Sequence, residues 1–256
     1  GGVDSTVLLD IVARFAPSLD CSVSAIHVHH GISTHAEQWA QFCARVCRRR
    51  GVRLHLARAN IDPWRDQGVE AAARIARYRA FAQVESDFLL LAHHADDQAE
   101  TVLLQLLRGA GVAGLAAMSS ERPDWRSTFA LIGHERAGWS DRTLPDLGER
   151  MPMILRPLLD IERADIVAYA RRRRLSWVED DTNANDRYAR NFLRKKVVPL
   201  LEQVQPAAVG NLARSARHLG AARPQVRRLR PRDRRGFALI GTALLIYAAG
   251  AGLGSP

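Results

Sequence analysis

The sequence predicts an α/β fold, a doubly wound parallel sheet with helices on both faces, followed by further helices. Three observations carry this expectation. Apolar runs of strand length alternate with segments of helical period through the first 120 residues. A glycine turn opens the chain and feeds straight into a helix. Polar, chemistry-bearing stretches follow the apolar runs, at the strand ends where a parallel sheet gathers its ligand contacts.

The opening residues are Gly1-Gly2-Val3-Asp4-Ser5-Thr6, followed at once by Val7-Leu8-Leu9-Asp10-Ile11-Val12. Two glycines let the backbone turn tightly and approach a ligand closely. The hydroxyls of Ser5 and Thr6 fall at a helix N-terminus, whose unpaired N–H groups and positive dipole end suit a phosphate. A glycine-rich turn capping any helix is the plainer reading of this stretch taken alone. Such a loop ordinarily follows a strand. Here no strand and no initiating Met precede it, so the expectation is a chain cut inside its own loop, with the first strand missing.

From there a helix is expected over Thr6 to Phe15, stopped by Pro17, and a buried strand over Val23 to Val28. Ala36 to Arg49 has a helical stripe of Trp39, Phe42, Cys43, Val46 and Cys47, and Gly51 ends it. A short strand follows over Val52 to Leu56, a helix over Ala71 to Val84, a strand over Phe88 to Ala92, and a helix over Ala99 to Leu107. Residues 121–152 read as irregular, with Pro123, Trp125, Trp139 and Pro145. Met153 to Leu155 resumes a strand, Asp160 to Arg173 a helix, and Asn191 to Val204 and Ala207 to Leu219 two more helices.

Composition is that of an ordinary globular chain, 47% hydrophobic and 25% charged over 256 residues, long enough for one large or two small domains. The net charge of +10 is uneven: residues 211–235 hold nine Arg and one Asp, so the body is near neutral. An Arg-rich run suits a polyanionic partner or is simply a solvated segment. Residues 236–256 carry no charge. Three readings of that apolar tail compete: a tail anchor, a short buried element, and out-of-frame sequence, the last being favoured because its style matches nothing upstream. Three cysteines, Cys21, Cys43 and Cys47, without a secretory leader argue for a reducing, cytoplasmic setting. Cys43 and Cys47 share a helical face, as half a metal site or, better, as two buried small hydrophobes.

Three stretches carry chemistry: His27-Val28-His29-His30-Gly31-Ile32, then His93-His94-Ala95-Asp96-Asp97-Gln98-Ala99-Glu100-Thr101, then Glu179-Asp180-Asp181-Thr182-Asn183 with Arg187 to Arg194 behind it. The histidines could simply cap backbone groups. Asp96 and Asp97 could be N-caps, with Glu100 completing a capping box. Asp97 and Glu100 also share one side of a first helical turn, where two carboxylates can grip an amine.

With GGVDS, HVHHGI, Glu70-Arg74-Arg77-Tyr78, AHHADDQAET, RGAG at Arg108 to Gly111, and RNFLR at Arg190 to Arg194 in this order, the chain resembles the tRNA(Ile)-lysidine synthase family, a branch of the PP-loop, or N-type, ATP pyrophosphatases. The resemblance runs from residue 1 to about 219, and the family's SGGxDS loop lacks only its first Ser here. It implies a Rossmann-like parallel sheet over residues 1–185 and a small helical subdomain over 186–220, with 221–256 not a family domain.

The resemblance also implies a reaction: ATP and L-lysine modify C2 of the anticodon wobble cytidine of a tRNA(Ile) with a CAU anticodon. An adenylated tRNA forms, and lysidine, AMP and pyrophosphate result. In this family reading Gly1, Gly2, Val3, Asp4, Ser5, His29 and His30 bind ATP, and Asp4 helps hold Mg²⁺. Asp97 and Glu100 bind lysine, Arg190 and Arg194 steady the charge on the α-phosphate, and Arg74 and Arg77 meet the tRNA or that phosphate. No stable membrane partner is expected, and a homodimer is compatible with the reading. The alternatives are a thiolase-like PP-loop enzyme, whose CxxC pair is absent here, a non-catalytic RNA-binding module, and an inactive truncated fragment.

Overall fold

The computed structural model describes residues 1–31, 33–122, 152–179 and 189–222, with the backbone of 237–240 and 245–248. Helix α1 (Val3–Phe15) starts three residues earlier than the sequence suggests, with Gly2 as its N-cap, because the glycine loop leads directly into the first turn. Strand β1 (Ser24–His29) is followed by α2 (Ala36–Arg49), β2 (Arg53–Arg58), α3 (Val69–Ala82), β3 (Phe88–Leu91) and α4 (Ala95–Leu107). A short α5 (Val112–Leu115), β4 (Glu121–Arg122), β5 (Met153–Leu155) and α6 (Arg163–Arg172) come next. A continuous helical stretch, α7, then runs from Ala189–Phe192 through a π-helical turn at Leu193–Val197 into Val198–Val204, and α8 (Ala208–Ala221) follows. Of the irregular region expected over 121–152, residues 123–151 lie outside the described residues.

The predicted parallel core is present. β1 pairs with β2 from Ser24↔Arg53 to His29↔Arg58, and β3 pairs with β5 from Phe88↔Met153 to Leu90↔Leu155. Two departures concern the edges and the middle. β4 runs antiparallel on β5. A hairpin of β6 (Phe237–Ile240) and β7 (Leu245–Ala248) stands between β1 and β3, so the order is β2-β1-β7-β6-β3-β5-β4. β6 lies parallel to β3 and β7 antiparallel to β1, and both neighbours gain backbone partners along edges that would otherwise be bare. Within the apolar tail, the backbone of these two segments is strand. Among the described residues no helix is long and apolar enough to cross a membrane.

Alternation along the strands divides the core into two layers. Ala25 and Leu90 face a cluster of Val7, Leu8, Leu9, Cys43, Val46, Cys47, Ile166 and Ala170, contributed by α1, α2 and α6. Ile26, Val28, Leu89 and Leu91 face the other way, onto Tyr78 and Phe81 of α3. Helices therefore cover both faces, as a doubly wound sheet requires. Cys43 and Cys47 are each 1% exposed, and burial with Cys43 alongside pushes the Cys47 thiol up to about 12. They are core hydrophobes, and the half-metal-site reading is set aside. Helix α4 lies against α8 through Ala95, Ala99, Val209 and Ala213, small side chains that let two helices approach closely.

One buried polar group ties three helices together. Asp10, on the inner side of α1, accepts from Nη2 of Arg50 beyond α2 at 3.1 Å and from the Tyr169 hydroxyl of α6 at 3.0 Å, with Arg173 Nε at 3.6 Å. Removing one member of a buried charge pair strands the other in a poor solvent for ions. Asp10→Ala is expected to cost about 3 kcal/mol, read as a lower urea midpoint with an unchanged slope, whereas the exposed Asp62→Ala should leave the midpoint in place.

Candidate active site

The loop at the start of α1 is held from several sides. The Gly1 carbonyl accepts from the Val178 N–H at 2.8 Å and from the Thr6 hydroxyl at 3.4 Å. A Cβ on Gly1 would come within 3.3 Å of Cys43 Sγ and of the Phe42 ring, so these two side chains of α2 would have to give by a few tenths of an ångström. Ser5 is buried and its hydroxyl donates to the Gly2 carbonyl at 2.9 Å. Asp4 sits in the first turn with its Oδ1 3.8 Å from His94 Nε2 and 3.9 Å from Arg163 Nε. Burial raises the Asp4 carboxyl above its ordinary range, and His94, Arg163 and Arg194 pull it only partly back.

The second part of the site is the N-terminus of α4. Neither Asp96 nor Asp97 is the N-cap. His94 caps the helix in an extended conformation, and its backbone N–H donates to Asp97 Oδ2 at 3.1 Å, so Asp97 fills the capping-box position three residues on. The His94 ring lies among acids, with Nδ1 3.4 Å from Asp96 Oδ2 and Nε2 3.4 Å from Asp97 Oδ2. Burial disfavours its cation, but Asp96, Asp97 and Asp4 outweigh burial and lift the ring above its ordinary value. Asp96 also accepts from the Arg163 N–H at 2.8 Å at the start of α6. Burial would raise Asp96, yet the His94 and Arg163 contacts bring it below the usual carboxylate range.

One turn along α4, Glu100 is 1% exposed and is gripped by Arg194, with Nε to Oε1 at 2.6 Å and Nη2 to Oε2 at 3.1 Å. The same Nη2 is 3.5 Å from Asp97 Oδ1. Burial pushes the Glu100 carboxyl up against the pull of Arg194, while Glu100 raises the Arg194 guanidinium despite its burial. Arg194 lies in the π-helical turn of α7, a local register change of a kind frequent at functional sites. Arg190, one turn earlier, donates to the Thr101 hydroxyl at 3.0 Å, and Thr101 in turn donates to the Asp97 carbonyl at 2.7 Å.

The structure thus gathers Asp4, Asp97, Glu100, Arg190 and Arg194 at one edge of the sheet. Sequence reasoning missed Arg163 and gave His94 no specific role. Arg163 opens a helix remote in sequence and carries no motif, whereas His94 stands inside one. The other expected residues lie apart. His29, at the end of β1, pairs with Glu37 at 3.9 Å and accepts from the Gly31 N–H at 3.2 Å. His30 is held neutral, lowered to about 4 by burial and by Arg77, His27 and His29. Neither histidine forms a hydrogen bond or ion pair with the Asp4–His94 group among the described residues. Arg74 is exposed, with its guanidinium over the Tyr78 ring at 5.6 Å. Asp180 to Asn183 and Arg187 lie outside the described residues.

Residues 1–201 match the model of the PP-loop domain family. The chain is 44% identical over 216 residues to a tRNA(Ile)-lysidine synthase of Azoarcus sp. (strain BH72), a match covering 84% of this chain and 43% of that protein. It is 43% identical over 222 residues to a protein of the same name from Nitrosomonas europaea, covering 87% and 44%. The chain therefore spans less than half the length of these curated relatives. Among solved structures, the U34-tRNA thiolase NcsA from Methanococcus maripaludis with its [4Fe-4S] cluster superposes with a TM-score of 0.62 at 16% identity, covering 90% of this chain and 73% of that one, a likeness of fold.

The charge arrangement fixes a pH dependence. The folded His94 value lies above 6.5, so its stabilisation is fully present below about pH 6.5 and is lost as pH rises through the raised value. The folded Asp96 value lies below 3.8, so its stabilisation is present above that pH and is lost as pH falls through the lowered value. Thermal melting should therefore weaken as pH rises from about 6.5 through the raised His94 value. In His94→Gln that slope should flatten; an unchanged slope would place the titrating group elsewhere.

Proposed function

The chain belongs to the PP-loop family, and on that premise we propose that it uses ATP to join lysine to C2 of the wobble cytidine of a tRNA(Ile) with a CAU anticodon. The observation that carries the proposal is the meeting, at one sheet edge, of the glycine loop with Asp4 and the Asp97–Glu100–Arg194 ion cluster. One end suits a triphosphate and the other suits an amine. On this reading the cytidine O2 attacks the α-phosphorus, pyrophosphate leaves, and the lysine ε-amine then displaces AMP from C2. The substrates named, tRNA, free lysine and ATP, place the work in the cytoplasm.

The loop N–H groups from Gly1 to Ser5 would receive the pyrophosphate at the positive end of α1. Asp4 Oδ1 is buried without a hydrogen bond, held only by His94 at 3.8 Å and Arg163 at 3.9 Å, and such a carboxylate oxygen beside a phosphate loop fits a hard cation. Asp4 would hold Mg²⁺ there, and the ion would supply neutralisation of the departing pyrophosphate. His94, charged more readily than an ordinary histidine, balances Asp4, Asp96 and Asp97.

Asp97 and Glu100 already hold a cationic side chain, that of Arg194. A lysine ammonium would take this place by displacing Arg194, and the freed guanidinium could then turn with Arg190 toward the α-phosphate. Glu100, its carboxyl raised by burial, is suited to take a proton from the ammonium as the amine becomes a nucleophile.

Two variants test the two ends. Asp4→Asn should abolish tRNA-dependent release of pyrophosphate while the protein still melts cooperatively; retained turnover would remove Asp4 from the nucleotide end. Glu100→Gln keeps the shape and removes one charge. It should weaken lysine by roughly 1.5–3 kcal/mol and leave ATP within about twofold, by separate calorimetric titrations. Equal losses for both ligands would return Asp97 and Glu100 to the role of helix-terminal acids.

A further inference from the structure

We propose that the edge opposite the candidate site is a second contact surface, an arginine face that holds the backbone of a base-paired RNA stem without reading its sequence. The inference rests on the reading above only for the kind of polyanion, an RNA.

The topology fixes where this edge lies. β1 is antiparallel to β7, β7 to β6, and β6 is parallel to β3, so β1, β2, β3 and β5 all run in one direction. The candidate site stands at their C-terminal ends. Helices α1, α2 and α6 begin on that side and run back along one face of the sheet. α1 and α6 lie in step: Arg163 meets Asp4, and one to two turns farther along both helices Tyr169 meets Asp10. Arg50, just past the end of α2, meets the same Asp10. The C-terminal turns of the three helices therefore come together at the far edge.

Those turns are rich in arginine. α6 ends in the run Arg171 to Arg174, all exposed. α2 ends in Arg48 and Arg49, and α1 carries Arg14 in its last turn, again exposed. Asp10 is taken up by Arg50 and Arg173, and Arg172 lies over the Tyr169 ring. Among the described residues, no carboxylate lies within ion-pair distance of Arg14, Arg48, Arg49, Arg171 or Arg174. Asp20, in the turn after α1, is exposed and pairs with none of them. Glu85, exposed ahead of β3, belongs to the connection from α3, which covers the opposite face.

A helix dipole is served by a cation or two in the last turn, and its effect fades beyond that turn. Arg173 and Arg174 already stand past the end of α6. Arg174 even takes the left-handed conformation, φ 52°, at a position where Gly or Asn is the ordinary choice. The body of the chain is otherwise near neutral, so the gathering is local and does not reflect general basicity. Guanidinium forks match phosphate oxygens, and a duplex backbone presents these in rows whatever its sequence. The 14 residues of α2 span about 21 Å, a distance that a short stem covers. A stem whose loop enters the site can thus lay its backbone on this edge. Phe15 and Leu19, the exposed apolar residues at the end of α1, offer an anionic bilayer little to bury, so RNA is the better match.

The test uses the full chain and three double variants that each remove two charges. Two lie on the proposed surface, Arg48→Gln/Arg49→Gln and Arg171→Gln/Arg174→Gln, and leave Arg50 and Arg173 on Asp10. The third, Arg65→Gln/Arg79→Gln, is a control on the α3 side. Binding of an RNA hairpin whose loop lacks CAU is followed by fluorescence anisotropy over a range of salt, ATP by calorimetry, and phosphatidylserine vesicles by sedimentation. Each surface variant should bind the hairpin several-fold more weakly at low salt, with a salt slope shallower by about two. ATP binding, and the control throughout, should match the wild type. Should one surface variant fail to melt cooperatively, the other decides. Surface variants that bind the hairpin as the wild type does would overturn the proposal. So would a wild-type chain that leaves the hairpin free, whether or not it binds vesicles. The function itself fails on a separate readout, the absence of pyrophosphate release with tRNA, lysine and ATP.

Discussion

Four carboxylates, Asp4, Asp96, Asp97 and Glu100, crowd the start of two helices in a partly buried space, and the site depends on their coexisting. Like charges so close would ordinarily drive one another to bind protons. Here His94, Arg163 and Arg194 are threaded between them. Every distance in the cluster follows from this balance. His94 must cap α4 for its ring to reach Asp4, Asp96 and Asp97 together. α6 must begin where the Arg163 N–H meets Asp96, and α7 must carry Arg194 onto Glu100. Displacing any one cation would unbalance the rest, so an incoming cationic ligand is accommodated best where a resident cation can withdraw.

The packing beneath explains why these groups stay in place. Ala95 and Ala99 of α4 let α8 come close, and Val198 of α7 packs against the same cluster. Thr101 links the Asp97 carbonyl to Arg190, so α4 and α7 are joined by polar contacts as well as by apolar area. Farther back, Asp10 gathers α1, α2 and α6, which fixes the helix that carries Asp4 relative to the one that carries Arg163. Buried polar groups therefore set the orientation of the site at both of its ends, while the apolar core sets its depth.

A good deal of this was legible beforehand, because the features concerned are local. The strand–helix alternation, the extent of α2 and the span of β5 follow from periodicity and from glycine stops, and the structure reproduces them. The gathering of Asp4, Asp97, Glu100, Arg190 and Arg194 was expected from the likeness to a family, since the residues themselves are scattered over nearly the whole described chain. His94 as a cap was less accessible. Aspartate is the commoner choice at such a position, and only the path of the chain out of β3 shows that the histidine stands there instead.

The sequence by itself determined which residues alternate, which turn and which carry charge, for these depend on side-chain chemistry and on neighbours a few positions away. It also determined that a phosphate-suited loop and a pair of acids lie in one chain. Only the tertiary structure decided who pairs with whom. Arg194 sits on Glu100 from 94 residues away, Arg163 reaches Asp4 across the sheet edge, Asp10 draws in Tyr169, and Arg156 lies buried against His93. Such pairings carry no local signal. A charged side chain is equally stable in water wherever it lies along an unfolded chain, and its partner is fixed only when packing removes that water and makes an unmatched charge costly.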